Sequence, residues 1–164
     1  MGSESATRLI GAAHAPLLAT LEVRDGWLER IRLAPAEGDE VEEVGAGLAS
    51  EVGDWLVADP GGAGRTLPAW PLAPPRTAFQ GRLRAALQAL RPGQTVSYRD
   101  LAATLGSAPR AVAMAARANP LPLVIPCHRV VAVDGAGGYA GASEGPLAAF
   151  KGWLLAQEAD HGLD

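Results

Sequence analysis

Residues 97–120, SYRDLAATLGSAPRAVAMAARANP, hold two short helical runs around a glycine-bearing turn. Ser97 is placed to cap a helix over YRDLAATL, because its hydroxyl can accept from a backbone N–H of the first turn. Gly106 ends that helix, and Ser107 is predicted to cap a second from Ala108 to Ala118. Pro109 falls in its first turn, where a missing N–H costs little. Asn119-Pro120 closes it, since a residue before proline disfavours helical backbone. Two helices joined so tightly read as a helix-turn-helix. On the second, Arg110, Ala113, Met114 and Arg117 share one face and Val112 and Ala115 the other. That first face lacks the long polar side chains of a major-groove reader. It suits close approach to a minor groove or to phosphates. A core helix packed closely through alanine fits the same pattern.

Upstream, Thr77 is predicted to cap a helix from Ala78 to about Leu90, ended by Pro92-Gly93. Residues 59–76, DPGGAGRTLPAWPLAPPR, are punctuated by Gly and Pro and read as a linker. They divide a lobe of residues 1–75 from one of residues 76–164. In the first lobe, apolar runs from Pro16 to Arg24 and Trp27 to Leu33 flank Asp25-Gly26, a hairpin signal. Val44, Leu48, Val52, Trp55 and Leu56 recur at helical spacing and predict a helix over 41–57. The expected fold class is α+β, a small antiparallel sheet-plus-helix lobe beside a mostly helical lobe. The first lobe carries no nucleophile and no ligand cluster, and reads as scaffold.

Composition bounds the rest. A chain of 164 residues holds one domain or two small lobes sharing a core. Apolar residues at 48% and charged residues at 20% exclude a disordered chain. No apolar run approaches the ~18 residues of a membrane span, and MGSESATRLI lacks the long apolar stretch of a signal peptide, so none is expected. A lone Cys excludes an internal disulfide and a Cys-rich zinc site. The expectation is a cytoplasmic protein without membrane contact. Net charge is −4, yet residues 76–130 carry eight Arg against the single acid Asp100. That segment can face phosphates, although a solvated Arg-rich helix accounts for it as well.

Downstream, residues 120–141 read PLPLVIPCHRVVAVDGAGGYAG. LVI is expected as an extended segment entering the core, with Pro126 fixing the backbone ahead of Cys127. A buried lone Cys is often an inert small hydrophobe. Here His128 is adjacent and Arg129 follows, and a thiol becomes nucleophilic when a base or cation favours its thiolate. Neighbours on a regular strand point apart, so Cys127 and His128 couple only at a turn or through water. A carboxylate orienting the imidazole would complete the set. Spacing leaves Asp134, Glu144, Glu158, Asp160 and Asp164 all open.

SYRDLA, the helix with RAV, the NP pair, VIPCHRVV, GYAG and KGWLLAQE follow in order over residues 76–158. Together they resemble the O6-alkylguanine-DNA alkyltransferases. The resemblance implies a protein that binds duplex DNA through the minor groove and rotates the damaged nucleotide out of the stack. It would then move the alkyl group from guanine O6 to its own Cys, once and irreversibly, without a cofactor; O4-alkylthymine stays open as a further substrate. Extruding a base costs a few kcal/mol, less for a badly paired one. By resemblance, Cys127 is the acceptor, His128 its base through water, and Glu158 the residue that orients His128. Arg110 matches the finger that fills the vacated stack, within the DNA-facing set Ala113, Met114 and Arg117. Tyr98 would donate to the purine, Asn119 would be the hinge before the Cys segment, and Val131 and Tyr139 would border the base. The partner implied is double-stranded DNA carrying O6-alkylguanine, met by a monomer.

The chain departs from the family pattern at GRLRAAL, where a Val-Trp pair is common, and at Ala140, where many members are polar. GASEGPLAAFKGW is longer than the usual link to the last helix, which bears on pocket size. Some members hold zinc in the first lobe; with no Cys there and only His14, no metal is expected. A sensor of alkylated DNA that performs no chemistry is the second function class, and Cys127 in its motif argues against it. A cysteine hydrolase has no supporting feature.

Overall fold

The computed structural model describes residues 2–38, 40–61, 67–134, 137 and 144–161. Its first layer is an antiparallel meander of β1 (Ser3–Ala12), β2 (Ala15–Arg24) and β3 (Trp27–Pro35). On β2, Ala15, Leu17, Ala19, Leu21 and Val23 are all buried, the period-two pattern of a strand with one covered face. The expected turn is present: Asp25 (φ 50°) and Gly26 (φ 84°) are both left-handed, as a tight two-residue hairpin needs.

β1 was not foreseen. Its inward row runs Ala6, Arg8, Ile10, and the Arg breaks the apolar alternation. Arg8 is buried because its Nη1 donates to Asp54 Oδ1 at 2.7 Å and its Nη2 to the Val44 carbonyl at 2.9 Å. Asp54 lies on α1 (Gly47–Ala58), which begins later than the helical spacing suggested, leaving Val44 exposed outside it. The delay is a backbone effect. Gly45 is at φ +74°, and a Cβ there would meet the Ser5 carbonyl oxygen at 2.3 Å.

The second layer follows the expected caps closely. α2 (Ala78–Gln88) starts at Thr77, whose hydroxyl accepts from the Gln80 N–H at 3.0 Å. After β4 (Val96–Ser97), α3 (Tyr98–Leu105) starts at Ser97, whose hydroxyl accepts from the Asp100 N–H at 3.0 Å. Gly106 ends α3 at φ 64°. α4 (Pro109–Arg117) follows, but its N-cap is Ala108 and no side chain caps it. Ser107 instead uses its N–H to close α3, donating to the Ala102 carbonyl at 2.9 Å.

The LVI segment departs from expectation. Leu123 and its neighbours Val124 and Ile125 are buried as foreseen, but the chain there is a tight turn, not an extended run. The Ile125 N–H bonds the Leu121 carbonyl at 2.9 Å, and Leu123 sits at φ 76°. The chain then makes a 3-10 turn over Cys127–Arg129 and enters β5 (Val130–Val131), parallel to β4. α5 (Pro146–His161) closes the molecule against β2 and β3, with Phe150 and Leu154 buried. One apolar core joins the sheet, α1, α5 and the helix-turn-helix. Among the described residues, no helix is long and apolar enough to cross a membrane.

Candidate active site

The 3-10 turn decides the geometry around Cys127. A strand would send Cys127 and His128 to opposite faces; the turn buries both, and Cys127 also lines an open groove of about 1070 Å³. His128 is fully buried, and its Nε2 lies 2.7 Å from Oε2 of Glu158 on α5. Arg129 holds the same carboxylate, its Nε donating to Oε1 at 2.9 Å and its Nη2 to Oε2 at 3.1 Å. The remaining Arg129 donors reach the Leu90 carbonyl at 2.8 Å and the Gly61 carbonyl at 3.1 Å. Of the five acids that sequence left open, the fold brings Glu158 to the imidazole.

Charge states follow from these contacts. Burial pushes the Glu158 carboxyl up, but its bonds to His128 and Arg129 outweigh that and hold it below the usual range. An ionised carboxylate only accepts, so the proton between the pair resides on Nε2. Burial lowers the His128 pKa despite Glu158, so the ring is neutral at pH 7. Its Nδ1 is then an open lone pair, and among the described residues this buried atom has no hydrogen-bond partner. The Cys127 pKa is raised by burial, with the Asn119 side chain and the Lys151 ammonium working against the rise. A protonated thiol thus rests beside an unprotonated base.

Asn119 ties the end of α4 to the Cys turn. Its Nδ2 donates to the Ile125 carbonyl at 3.0 Å, and its Oδ1 accepts from the Leu121 N–H at 3.1 Å. Tyr98 opens α3 half-buried, and burial together with Cys127 raises its pKa, keeping the phenol protonated. Val131 is half-buried in β5 opposite Ser97. On α4, Arg110, Ala113, Met114 and Arg117 are exposed while Val112 and Ala115 are buried, so the small-residue face points out. Tyr139 lies outside the described residues.

Two residues of this cluster were missed as site residues. Arg129 was read only as a neighbour of the thiol, and it anchors Glu158. Lys151 on α5 is buried, donates to the Val130 carbonyl at 2.8 Å, and stands 5.9 Å from the centre of the Tyr98 ring. Burial lowers its pKa to about 8. The available signal was compositional, for Lys151 is the single lysine in a chain with thirteen arginines. Among the described residues, no group of three or more His, Cys, Asp or Glu is placed to hold a metal ion.

Comparison with known proteins bears on the same half of the chain. Residues 78–160 match the family model described as 6-O-methylguanine DNA methyltransferase, DNA binding domain. A methylated-DNA–protein-cysteine methyltransferase of Mus musculus is 52% identical over 75 residues, 44% of this chain and 34% of that protein. One from Methanocaldococcus vulcanius is 48% identical over 63 residues, 38% of this chain and 39% of that protein. The chain thus spans little more than a third of the length of these relatives. The crystal structure of Mycobacterium tuberculosis OGT in complex with DNA superposes with a TM-score of 0.69 at 29% identity, covering 95% of this chain and 94% of that one.

Proposed function

This chain belongs to the 6-O-methylguanine DNA methyltransferase family, and on that premise we propose that it repairs duplex DNA by moving an alkyl group from guanine O6 to Cys127. The observation that carries the reading is the Nδ1 of His128, unpartnered among the described residues, a neutral buried base on the residue next to the one cysteine. Through a water, the Cys127 proton passes to Nδ1, and the imidazolium so formed is stabilised by the Glu158 carboxylate 2.7 Å from Nε2. The thiolate attacks the alkyl carbon: an S–C bond forms, the C–O6 bond breaks, and the electron pair stays with the purine. Tyr98, kept protonated, supplies the proton that neutralises the leaving guanine.

The product is a thioether, which water does not cleave, so each molecule acts once. The exposed α4 face supports duplex binding, with Ala113 allowing close approach, Met114 and Arg117 beside it, and Arg110 entering the stack where the base has left. Asn119 holds the hinge between that helix and the nucleophile, and Val131 borders the base. The protein works as a monomer on DNA carrying O6-alkylguanine, in the cytoplasm.

Cys127→Ala tests this directly. Transfer from an O6-methylguanine duplex is expected to vanish while affinity for the duplex, read by fluorescence anisotropy, stays within about twofold, since polar contacts to the backbone set affinity and Cys127 is a buried thiol. A variant that still accepts the methyl group would overturn the assignment.

A further inference from the structure

The groove lined by Cys127 is far larger than a methyl group requires, at about 1070 Å³. Pro122, Ile125 and Ala116 give its lining short apolar stretches beside Cys127's own place in it. The same lining carries Arg30 of β3, Arg76 just ahead of α2, Arg84 of α2 and Arg117 of α4. The acids of the groove are already engaged: Glu22 lies 3.4 Å from Arg32, and Glu29 lies 3.7 Å from Arg24. Among the described residues, no acid or hydrogen-bond acceptor engages Arg30, Arg76 or Arg117. Arg84 spends one donor on the Ala73 carbonyl at 2.9 Å. Its half-burial lowers its pKa by desolvation. Unpaired cations in a concave wall focus a positive potential on whatever enters.

We propose that this groove admits long O6-alkyl groups and favours those ending in a carboxylate, with the methylene chain along Pro122 and the anion held by the arginine wall. The inference rests on the alkyl-transfer reading and names a substrate class within it. The reaction is the same displacement. Sulfur bonds the first carbon of the chain, that carbon's bond to O6 breaks, and the electron pair leaves with guanine, which takes up a proton. The carboxylate passes unchanged into the thioether. Arg30 lies on β3, Arg76 just ahead of α2 and Arg84 on α2, outside the helix that presents the DNA-facing surface, and they share their groove with the acceptor thiol. An anion tethered to the reacting carbon fits that placement better than a phosphate of the duplex.

Duplexes carrying O6-(ω-carboxybutyl)guanine, its neutral carboxamide, or O6-methylguanine test the idea through single-turnover rates of modification at Cys127. The acid is expected to react about fivefold faster than the amide, the scale of a partly exposed ion pair. High salt should erase that ratio by screening. Arg30→Gln with Arg76→Gln should also bring it to one, while methyl transfer stays within about twofold, because neither arginine touches the methyl path. Equal acid and amide rates alongside normal methyl transfer would overturn the inference and leave the parent reading standing. Uniform slowing of all three lesions in the variant would assign the arginines to the DNA backbone, and overturn it too. Absent methyl transfer in the natural chain defeats the parent reading, and this one with it.

Discussion

Glu158 serves two partners, the Arg129 cation and the His128 imidazole, from one buried position, and the two roles separate experimentally. Glu158→Gln leaves the Arg129 guanidinium buried without its counter-charge, which costs about 3 kcal/mol when one partner of such a pair is removed. That loss is expected in urea unfolding. The second effect falls on the imidazole. The carboxylate favours protonated His128, so its removal should move the acid limb of the pH–rate profile to lower pH as well as slow transfer. A limb that stays in place would reduce Glu158 to a structural role.

His128 also sets a pH dependence of stability. Its pKa in the folded state lies below the ordinary 6.5, so the unfolded chain takes up a proton that the folded one refuses. Stability is therefore expected to fall as pH drops through 6.5 towards the folded-state value. Chemical denaturation across that range checks the sign, and a flat profile would mean the ring is not held neutral.

Among the elements, the turn between α4 and β5 is the one on which the chemistry depends. It combines a left-handed Leu123, a 3-10 turn at Cys127, and two bonds from one side chain, Asn119. Asn119→Ala removes both bonds; the Ile125 carbonyl keeps the Cys127 N–H at 2.7 Å, but the Leu121 N–H loses its partner, at a cost of about 1–3 kcal/mol for an unsatisfied buried group. Transfer should fall more steeply than duplex affinity, since α4 keeps its exposed face while the nucleophile loses its placement. Parallel losses in both measurements would contradict a hinge specific to the Cys turn. The caps of α2 and α3 were readable because Thr77, Ser97 and Gly106 act within four residues of themselves. This turn was not. Proline and apolar residues favour extended backbone locally, and the bend shows only in contacts the fold makes, the Asn119 bonds to Leu121 and Ile125 and the Ile125 N–H to the Leu121 carbonyl.

Across the whole molecule, legibility follows distance along the chain. The β2–β3 hairpin and the helix-turn-helix rest on local signals, and the structure carries both. β1 was hidden because Arg8 occupies an inward position that only Asp54, in a later helix, makes tolerable. The late start of α1 depends on the approach of Gly45 to β1, which no periodicity records. In the site, the adjacent Cys127 and His128 were visible as a motif, and the α4 face was visible from its spacing. Choosing Glu158 among the later acids required the docking of α5 against the Cys turn, so the family resemblance reached it before residue spacing did. Lys151 rides on the same docking, and Arg129 became a site residue only when its guanidinium was seen to hold Glu158.

The central claim is that the sulfur of Cys127 keeps the alkyl carbon. Mass spectrometry of the intact chain and of its Cys127 peptide, after incubation with excess O6-methylguanine duplex, measures this without intermediaries. The account predicts a gain of one methylene per molecule, confined to the Cys127 peptide, with no further gain on longer incubation and unmodified guanine left in the DNA. An unmodified Cys127 peptide from a protein that binds the duplex tightly would contradict it, and would make the molecule a sensor of the lesion instead of its acceptor.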